Sequence, residues 1–267
     1  MPAMLFDSHS HLHDKKFDQD RDAAIERARA ADVRAILALG DTLGRSRDAI
    51  ALAESSAMVF AAAGVHPCEA GEWNDAAPAK LRELLAHPRV VVLGEIGLDY
   101  YWVKEEAALK QQHRAFREQL QIARELGFAV SIHCRESTSA VLDVLEEMHA
   151  GDIGGVLHCF SGDDAEARRT IDLGFYIGVG GTSTYPKSQA LRDTLKMIGI
   201  EHLLVETDAP YLPPQRYRGK RNEPAYVADT ARALAETLSL PAATVAEKTW
   251  SNTLKAFRFA ERGVVIS

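Results

Sequence analysis

The stretch Val90-Val91-Val92-Leu93-Gly94-Glu95-Ile96-Gly97-Leu98-Asp99 decides the fold of this chain. Its first four residues are apolar and mostly β-branched, which is typical of a strand that is buried on both faces. A carboxylate, Glu95, follows at the point where the apolar run ends. The sequence therefore predicts a parallel-sheet strand over Val90–Gly94 that presents a polar group at its carboxyl end.

Seven other short apolar runs occur along the chain, each followed by polar or glycine-containing residues and then by a helical pattern. They predict strands over Ala3–Phe6, Ala35–Leu39, Val59–Ala63, Ala129–Ile132, Gly155–Leu157, Phe175–Val179 and His202–Val205. The clearest helical patterns cover Glu105–Leu126, Ser188–Ile198 and Tyr226–Leu238. Strands that alternate with helices predict parallel βαβ units, and eight of them predict an α/β fold, a single (β/α)₈ TIM barrel over residues 1–267. An open doubly wound sheet has the same alternation and remains the alternative.

The composition limits the class of function. With 31 Lys and Arg against 38 Asp and Glu, the net charge is −7. A chain this acidic does not bind nucleic acid or an anionic membrane by bulk charge, so it would need metal ions or a local basic patch to handle phosphates. The three widely spaced cysteines and the lack of a signal-peptide pattern or a long apolar stretch predict a cytoplasmic protein with no membrane contact. No feature of the sequence indicates an obligate protein partner.

Titratable residues follow the apolar runs at their carboxyl ends, which converge on one face of a closed barrel. Side chains alternate between the two faces of a strand, so His9 and His11 lie on the same side, where they could share a metal ion. Burying so many polar groups without compensation would cost several kcal/mol, so their convergence predicts a metal site. The residues are His9 and His11 after the first run, Glu95 after the fourth, and His133, His158 and Asp208 after the fifth, sixth and eighth.

Several of these segments resemble the motifs of the TatD family of metal-dependent hydrolases, and the resemblance spans almost the whole chain. It implies a (β/α)₈ barrel, a divalent-metal site and deoxyribonuclease activity. The segments are Asp7-Ser8-His9-Ser10-His11-Leu12, Gly94-Glu95-Ile96-Gly97-Leu98-Asp99-Tyr100, His133-Cys134-Arg135, His158-Cys159-Phe160-Ser161-Gly162, Glu206-Thr207-Asp208-Ala209-Pro210-Tyr211 and Arg218-Gly219-Lys220-Arg221-Asn222-Glu223-Pro224.

The resemblance also implies a role for each ligand. One metal ion would be bound by His9 and His11, a second by His133 and His158, and Glu95 would bridge the two. Asp208 would complete the first site and accept the proton of the attacking water, so Asp208 and Glu95 are the candidate catalytic residues.

Four further residues surround this predicted ligand set. The resemblance makes His66 a candidate for contact with the substrate, and Arg135 is a candidate for the same reason. Glu206 lies two residues before Asp208 on the same strand, so we expect it to orient a ligand imidazole. His13 is expected at the rim of the site rather than among the ligands.

The segment Gln215–Arg221 carries four cations and no acid in a chain that is otherwise acidic. A solvated charge run is the ordinary explanation, but loops after the last barrel strands often hold phosphate. We therefore expect Arg218, Lys220 and Arg221 to bind a phosphate backbone, with Tyr211 and Tyr217 available to stack on bases.

The converging residues predict a divalent-metal-dependent hydrolase, and the resemblance implies a phosphodiesterase or deoxyribonuclease that acts exonucleolytically on DNA or another phosphodiester. Two divalent ions would activate the water, and the mixed ligands do not choose between magnesium, manganese and zinc. A cyclic amidohydrolase or lactonase remains an alternative, although many such enzymes carry a modified lysine where Glu95 stands. A non-catalytic, metal-stabilised binding protein is the third possibility, but structural zinc sites are normally closed and four-coordinate.

Overall fold

Eight parallel strands form one sheet, and their spatial order is their order in the chain. The computed structural model describes residues 4–266. The (β/α)₈ TIM barrel is confirmed, and the consecutive strand order excludes the doubly wound alternative; that residues 1–267 form a single domain stays a prediction. The strands are β1 (Leu5–Ser10), β2 (Val33–Leu39), β3 (Val59–Ala63), β4 (Val90–Asp99), β5 (Val130–Arg135), β6 (Gly155–Leu157), β7 (Tyr176–Val179) and β8 (Leu203–Val205).

Helices follow the strands and cover the outside of the barrel. Between residues 4 and 266, no helix is long and apolar enough to cross a membrane. The last helix follows the eighth strand–helix unit and has no counterpart in the sequence analysis. The helices are α1 (Arg21–Ala30), α2 (Leu43–Ser55), α3 (Ala77–Leu85), α4 (Glu106–Leu126), α5 (Thr138–Glu147), α6 (Asp164–Asp172), α7 (Gln189–Ile198), α8 (Val227–Leu238) and α9 (Ala242–Ala256).

Three strands continue beyond the apolar runs that predicted them. β1 extends through the histidine motif to Ser10, whereas the predicted strand ended at Phe6 and began at Ala3, which lies outside the described residues. β4 and β5 stay paired past their apolar segments, with Ile96 opposite Ile132 and Gly97 opposite His133. The polar site residues of these strands are therefore held by the sheet itself rather than by loops.

Side-chain and backbone hydrogen bonds close the barrel between β1 and the segment that follows β8. The buried carboxylate of Asp7 accepts hydrogen bonds from the Thr207 amide at 2.8 Å and the Thr207 hydroxyl at 2.7 Å. The amide of Asp208 donates to the carbonyl of His9 at 2.9 Å. Two prospective metal ligands from opposite ends of the chain are thereby fixed side by side.

Aromatic side chains fill the amino-terminal end of the barrel. Phe259, which follows α9, packs its ring 5.8 Å from that of Phe6 in β1 and 5.3 Å from that of Phe60 in β3. Phe257 is buried in the same cluster. The segment after α9 thus closes the end of the barrel opposite the polar residues.

Replacing Phe259 by alanine should destabilise the protein by about 3–5 kcal/mol, because it opens a cavity among buried aromatic rings. Urea unfolding measures the effect. The control is Leu126→Ala at the exposed end of α4, where a change within about 0.5 kcal/mol is expected. A loss for Phe259→Ala that is no larger than the loss for the control would show that this segment does not close the barrel.

Candidate metal centre

Glu95 lies at the centre of the carboxyl-terminal face, and its side chain is almost completely buried. Its Oε2 atom lies 3.5 Å from Nε2 of His9 and 3.4 Å from Nε2 of His11. Oδ1 of Asp208 lies 3.8 Å and 3.6 Å from the same two nitrogens. Donor atoms around a tetrahedral ion with bonds near 2.1 Å are about 3.4 Å apart, so these four donors fit a divalent cation.

The other oxygen of Glu95 faces a second set of imidazoles. Its Oε1 atom lies 2.8 Å from Nε2 of His158 and 3.0 Å from Nδ1 of His133. The two nitrogens are 3.4 Å apart. The structure therefore brings together all six residues predicted as ligands and divides them between the two oxygens of one carboxylate.

Hydrogen bonds on the far side of two imidazoles leave their inner nitrogens free to accept a cation. Nδ1 of His11 lies 2.9 Å from the carbonyl oxygen of Leu39, which can only accept a hydrogen bond. Nε2 of His133 lies 3.0 Å from Oδ2 of Asp99. Because each outer nitrogen donates, a neutral ring presents its lone pair towards Glu95, as metal binding requires.

His66 lies in the same cluster, but its protonated nitrogen faces Glu95 instead of its lone pair. Its Nδ1 accepts a hydrogen bond from the amide of Cys68 at 3.1 Å, so in the neutral ring the proton is on Nε2, which lies 3.6 Å from Oε1 of Glu95. Burial, reinforced by the charge of His133, lowers the pKa of His66 to about 3. His66 thus faces the site as a neutral hydrogen-bond donor rather than as a lone-pair donor.

Glu206 lies behind the second imidazole set, where the sequence placed it. Its Oε1 atom is 3.5 Å from Nδ1 of His158 and accepts a hydrogen bond from the amide of Cys159. The rings of His9 and His158 stack at 3.7 Å, which brings the two ligand sets together. The buried Glu206 carboxylate is therefore placed to orient His158.

Burial and the negative charge of Glu95 act in opposite directions on the histidines of the centre. Burial disfavours a charged His11, but the hydrogen bond and charge of Glu95, together with Asp208, outweigh burial and raise the pKa of His11 to about 9. Burial also raises the pKa of Asp208 to about 6. Because a histidine must lose its added proton before it binds a metal ion, a divalent cation at this centre would displace the proton of His11.

Two carboxylates at this face carried no assigned role in the sequence analysis. Asp99 holds the outer nitrogen of His133, and its position four residues after Glu95 on β4 was the available signal, since alternate strand residues share a face. Asp41, two residues after the end of β2, contributes to the raised pKa of His11. His13 was expected at the rim but is buried, with its ring 6.0 Å from that of His11.

The basic segment after β8 is only partly available to a ligand. Arg221 pairs with Asp20 at 2.7 Å, and Arg216 pairs with Asp229 at 2.8 Å. Arg218 lies over the ring of Tyr185 at 4.6 Å and is exposed, as is Lys220. Within the described part of the chain, neither of these two cations has a carboxylate within 4.0 Å. Of the three cations predicted to bind a phosphate backbone, Arg218 and Lys220 are therefore unpaired among the described residues, whereas Arg221 is paired with Asp20.

The aromatic residues of this region also differ in availability. Tyr217 stacks on Tyr226, with ring centroids 3.6 Å apart and planes 3° apart, so one of its faces is covered. Tyr211 is 43% exposed, and its ring lies 6.1 Å from that of His11. Of the two tyrosines predicted to stack on bases, Tyr211 is the one that lies beside the metal centre.

Comparison with known proteins identifies the family. Residues 6–258 match the model of the family described as TatD related DNase. The chain is 36% identical to the uncharacterized metal-dependent hydrolase YabD of Bacillus subtilis over 96% of this chain and 99% of that protein. It is 37% identical to the 3′-5′ ssDNA/RNA exonuclease TatD of Musicola paradisiaca over 97% of this chain and 100% of that protein. The crystal structure of the TatD homologue YjjV of Escherichia coli superposes with a TM-score of 0.90 at 32% identity, covering 97% of this chain and 99% of that one. The chain therefore belongs to the TatD-related DNase family and is a metal-dependent hydrolase.

Proposed function

We propose that this protein is an exonuclease that removes nucleotides from the 3′ end of single-stranded DNA or RNA with the help of two divalent ions. The observation that carries the proposal is the division of ligands by Glu95, whose two oxygens face separate donor sets 2.8–3.5 Å away. We also propose that the protein is located in the cytoplasm, because its three cysteines are free thiols and the cytoplasm keeps thiols reduced.

Each residue has a role in this proposal. His9, His11 and Asp208 would hold one ion, His133 and His158 would hold the other, and Glu95 would contribute one oxygen to each. When bound, the ions supply positive charge for the phosphate and lower the pKa of the attacking water. Manganese, magnesium and zinc all remain compatible with this mixture of nitrogen and oxygen ligands.

The proton and the phosphate are handled by side chains around the ligands. Asp208 accepts the proton of the attacking water, since its carboxylate lies beside the nitrogens of His9 and His11 that would hold the ion. His66 donates a hydrogen bond from Nε2 to a non-bridging phosphate oxygen. Arg135 lies two residues after His133 on β5, is exposed, and binds the phosphate backbone next to the scissile bond.

The direction and the substrate class rest on relatives. The protein of Musicola paradisiaca is named a 3′-5′ ssDNA/RNA exonuclease, and it aligns with this chain along nearly its whole length. A cyclic amidohydrolase or lactonase would have the same barrel, but Glu95 occupies the strand-four position where many of those enzymes carry a modified lysine. Turnover of a lactone or dihydropyrimidine without turnover of nucleic acid would favour that alternative.

Glu95→Gln tests the proposed function, because glutamine keeps the shape of the side chain but removes the charge shared by the two ligand sets. Hydrolysis of 5′-labelled single-stranded DNA and RNA should fall roughly 100-fold or more, since loss of a ligand exceeds the 10–100-fold effect of losing a supporting contact. The bound metal measured by elemental analysis should fall with it. The matched control, Glu106→Gln on the exposed start of α4, should match wild type.

The assay also includes duplexes and oligonucleotides with a blocked 3′ end. The wild-type protein should shorten the free single strand stepwise from its 3′ end and should spare the blocked strand. Cleavage of both strands alike would contradict the exonuclease assignment, and near-normal hydrolysis by Glu95→Gln at limiting metal would contradict the role of the shared carboxylate.

The exposed cations Arg218 and Lys220 should bind the phosphate backbone. Single-strand binding weakens with salt, and the slope of log K against log salt concentration changes by about 0.7 for each phosphate contact. The double variant Arg218→Gln/Lys220→Gln should therefore make this slope shallower by about 1.4. Fluorescence anisotropy over a salt series, with a phosphorothioate oligonucleotide that resists hydrolysis, measures the slope.

The control variant for this measurement removes the same charge from the outer helices. It is Lys110→Gln/Lys248→Gln, in which both lysines are paired with acids on the protein surface. It should leave the slope unchanged. Identical slopes for all three proteins would make the basic segment an ordinary solvated surface.

A further inference from the structure

Two large aromatic side chains stand exposed immediately after β4. Trp102 is 65% exposed and Tyr101 is 43% exposed, and their rings contact each other edge to face with centroids 4.7 Å apart. Adjacent exposed aromatic side chains form an apolar patch, and such patches often mark the place where a ligand binds. No step of the proposed hydrolysis uses either ring.

One carboxylate connects these two residues to the metal centre through hydrogen bonds. Oδ1 of Asp99 accepts hydrogen bonds from the amides of Tyr101 at 2.9 Å and Trp102 at 2.7 Å. Oδ2 of the same side chain binds the outer nitrogen of His133 at 3.0 Å. The backbone that carries the exposed rings is therefore held at a fixed place relative to a prospective metal ligand.

A cation accompanies the two rings. The guanidinium of Arg135 lies 4.3 Å from the ring centroid of Tyr101 and 5.5 Å from that of Trp102. Across residues 4–266, no carboxylate lies within 4.0 Å of Arg135, so its charge is left for a ligand. Aromatic faces beside an uncompensated guanidinium are the combination that binds an unpaired base together with its phosphate.

We propose that Tyr101 and Trp102, with Arg135, form a stacking platform for a base of single-stranded nucleic acid whose phosphates enter the metal centre. The proposal deepens the proposed function and rests on it for the identity of the substrate. Stacking tolerates any base sequence because every base has an aromatic face. It also requires an unpaired base, since both faces of a base inside a duplex are already covered, so the platform selects single strands.

The tryptophans of the chain allow the platform to be observed directly. The chain has three of them; Trp73 is 1% exposed, and Trp250 packs against the aromatic cluster at the opposite end of the barrel. Fluorescence quenching by an added oligonucleotide therefore reports chiefly on Trp102. The probe is a phosphorothioate single strand that resists hydrolysis, with a strand of the same length that is abasic at its 3′-terminal positions as the comparison.

The wild-type protein should show quenching with the normal strand and much less with the abasic strand. Trp102→Ala should weaken binding measured by anisotropy about 5- to 150-fold, and Trp102→Phe should restore affinity while removing the quenching. With a cleavable strand, the loss for Trp102→Ala should appear in KM more than in kcat. Met197→Ala, which removes an exposed apolar side chain from α7, should bind like wild type.

Failure of this proposal differs from failure of the proposed function. Hydrolysis of the strand with equal affinity for wild type, Trp102→Ala and Tyr101→Ala would overturn the platform and leave the exonuclease intact. Quenching that depends on Trp102 in a protein that hydrolyses no strand would support the platform and overturn the exonuclease. Quenching that persists in Trp102→Phe would overturn the assignment to this residue.

Discussion

The contact between one buried carboxylate and five imidazoles governs the arrangement of this protein. The oxygens of Glu95 lie 2.8–3.6 Å from nitrogens of His9, His11, His66, His133 and His158. A charge buried this deeply is tolerated only where other groups compensate for it, and here the imidazoles that would hold the compensating cations come from four separate segments of the chain. Each of those segments must reach the same point, which is a demand on the whole barrel rather than on one loop.

The barrel meets that demand in two ways. The polar residues of β1, β4 and β5 belong to the sheet, so hydrogen bonds between strands fix their positions. The closure through Asp7 and Thr207 then brings the first and last strands together, which places Asp208 beside His9. Asp99 connects this arrangement to the surface, because its carboxylate orients His133 and also holds the backbone of the exposed aromatic pair. The exposed aromatic pair and the prospective ligand His133 are thereby held by the same carboxylate.

The sequence predicted the barrel and the convergence of six titratable side chains on one face, because both depend on local patterns; that these six bind metal stays a prediction. Buried strands are continuous apolar runs, and chemistry follows their carboxyl ends. Strand ends were predicted too early where polar ligands continue the strand, since polarity was taken as the end of burial. The last helix was missed because it does not follow a ninth strand and so falls outside the strand–helix repeat.

Other features could not be predicted because they depend on residues that are far apart in the chain. The segment Gln215–Arg221 contains no acid, but Asp20 and Asp229 approach it in the fold and pair with Arg221 and Arg216. His13 is polar and follows two prospective ligands, yet the packing around it leaves it buried. Local sequence cannot reveal whether a cation is compensated or a histidine is enclosed, because tertiary neighbours decide both.

We propose that the two oxygens of Glu95 divide the site between two metal ions. Anomalous diffraction from crystals grown with manganese tests it most directly. Two manganese peaks are expected, one beside His9, His11 and Asp208 and one beside His133 and His158, with Glu95 between them. A single peak, or two peaks of which one lies away from Glu95, would contradict it.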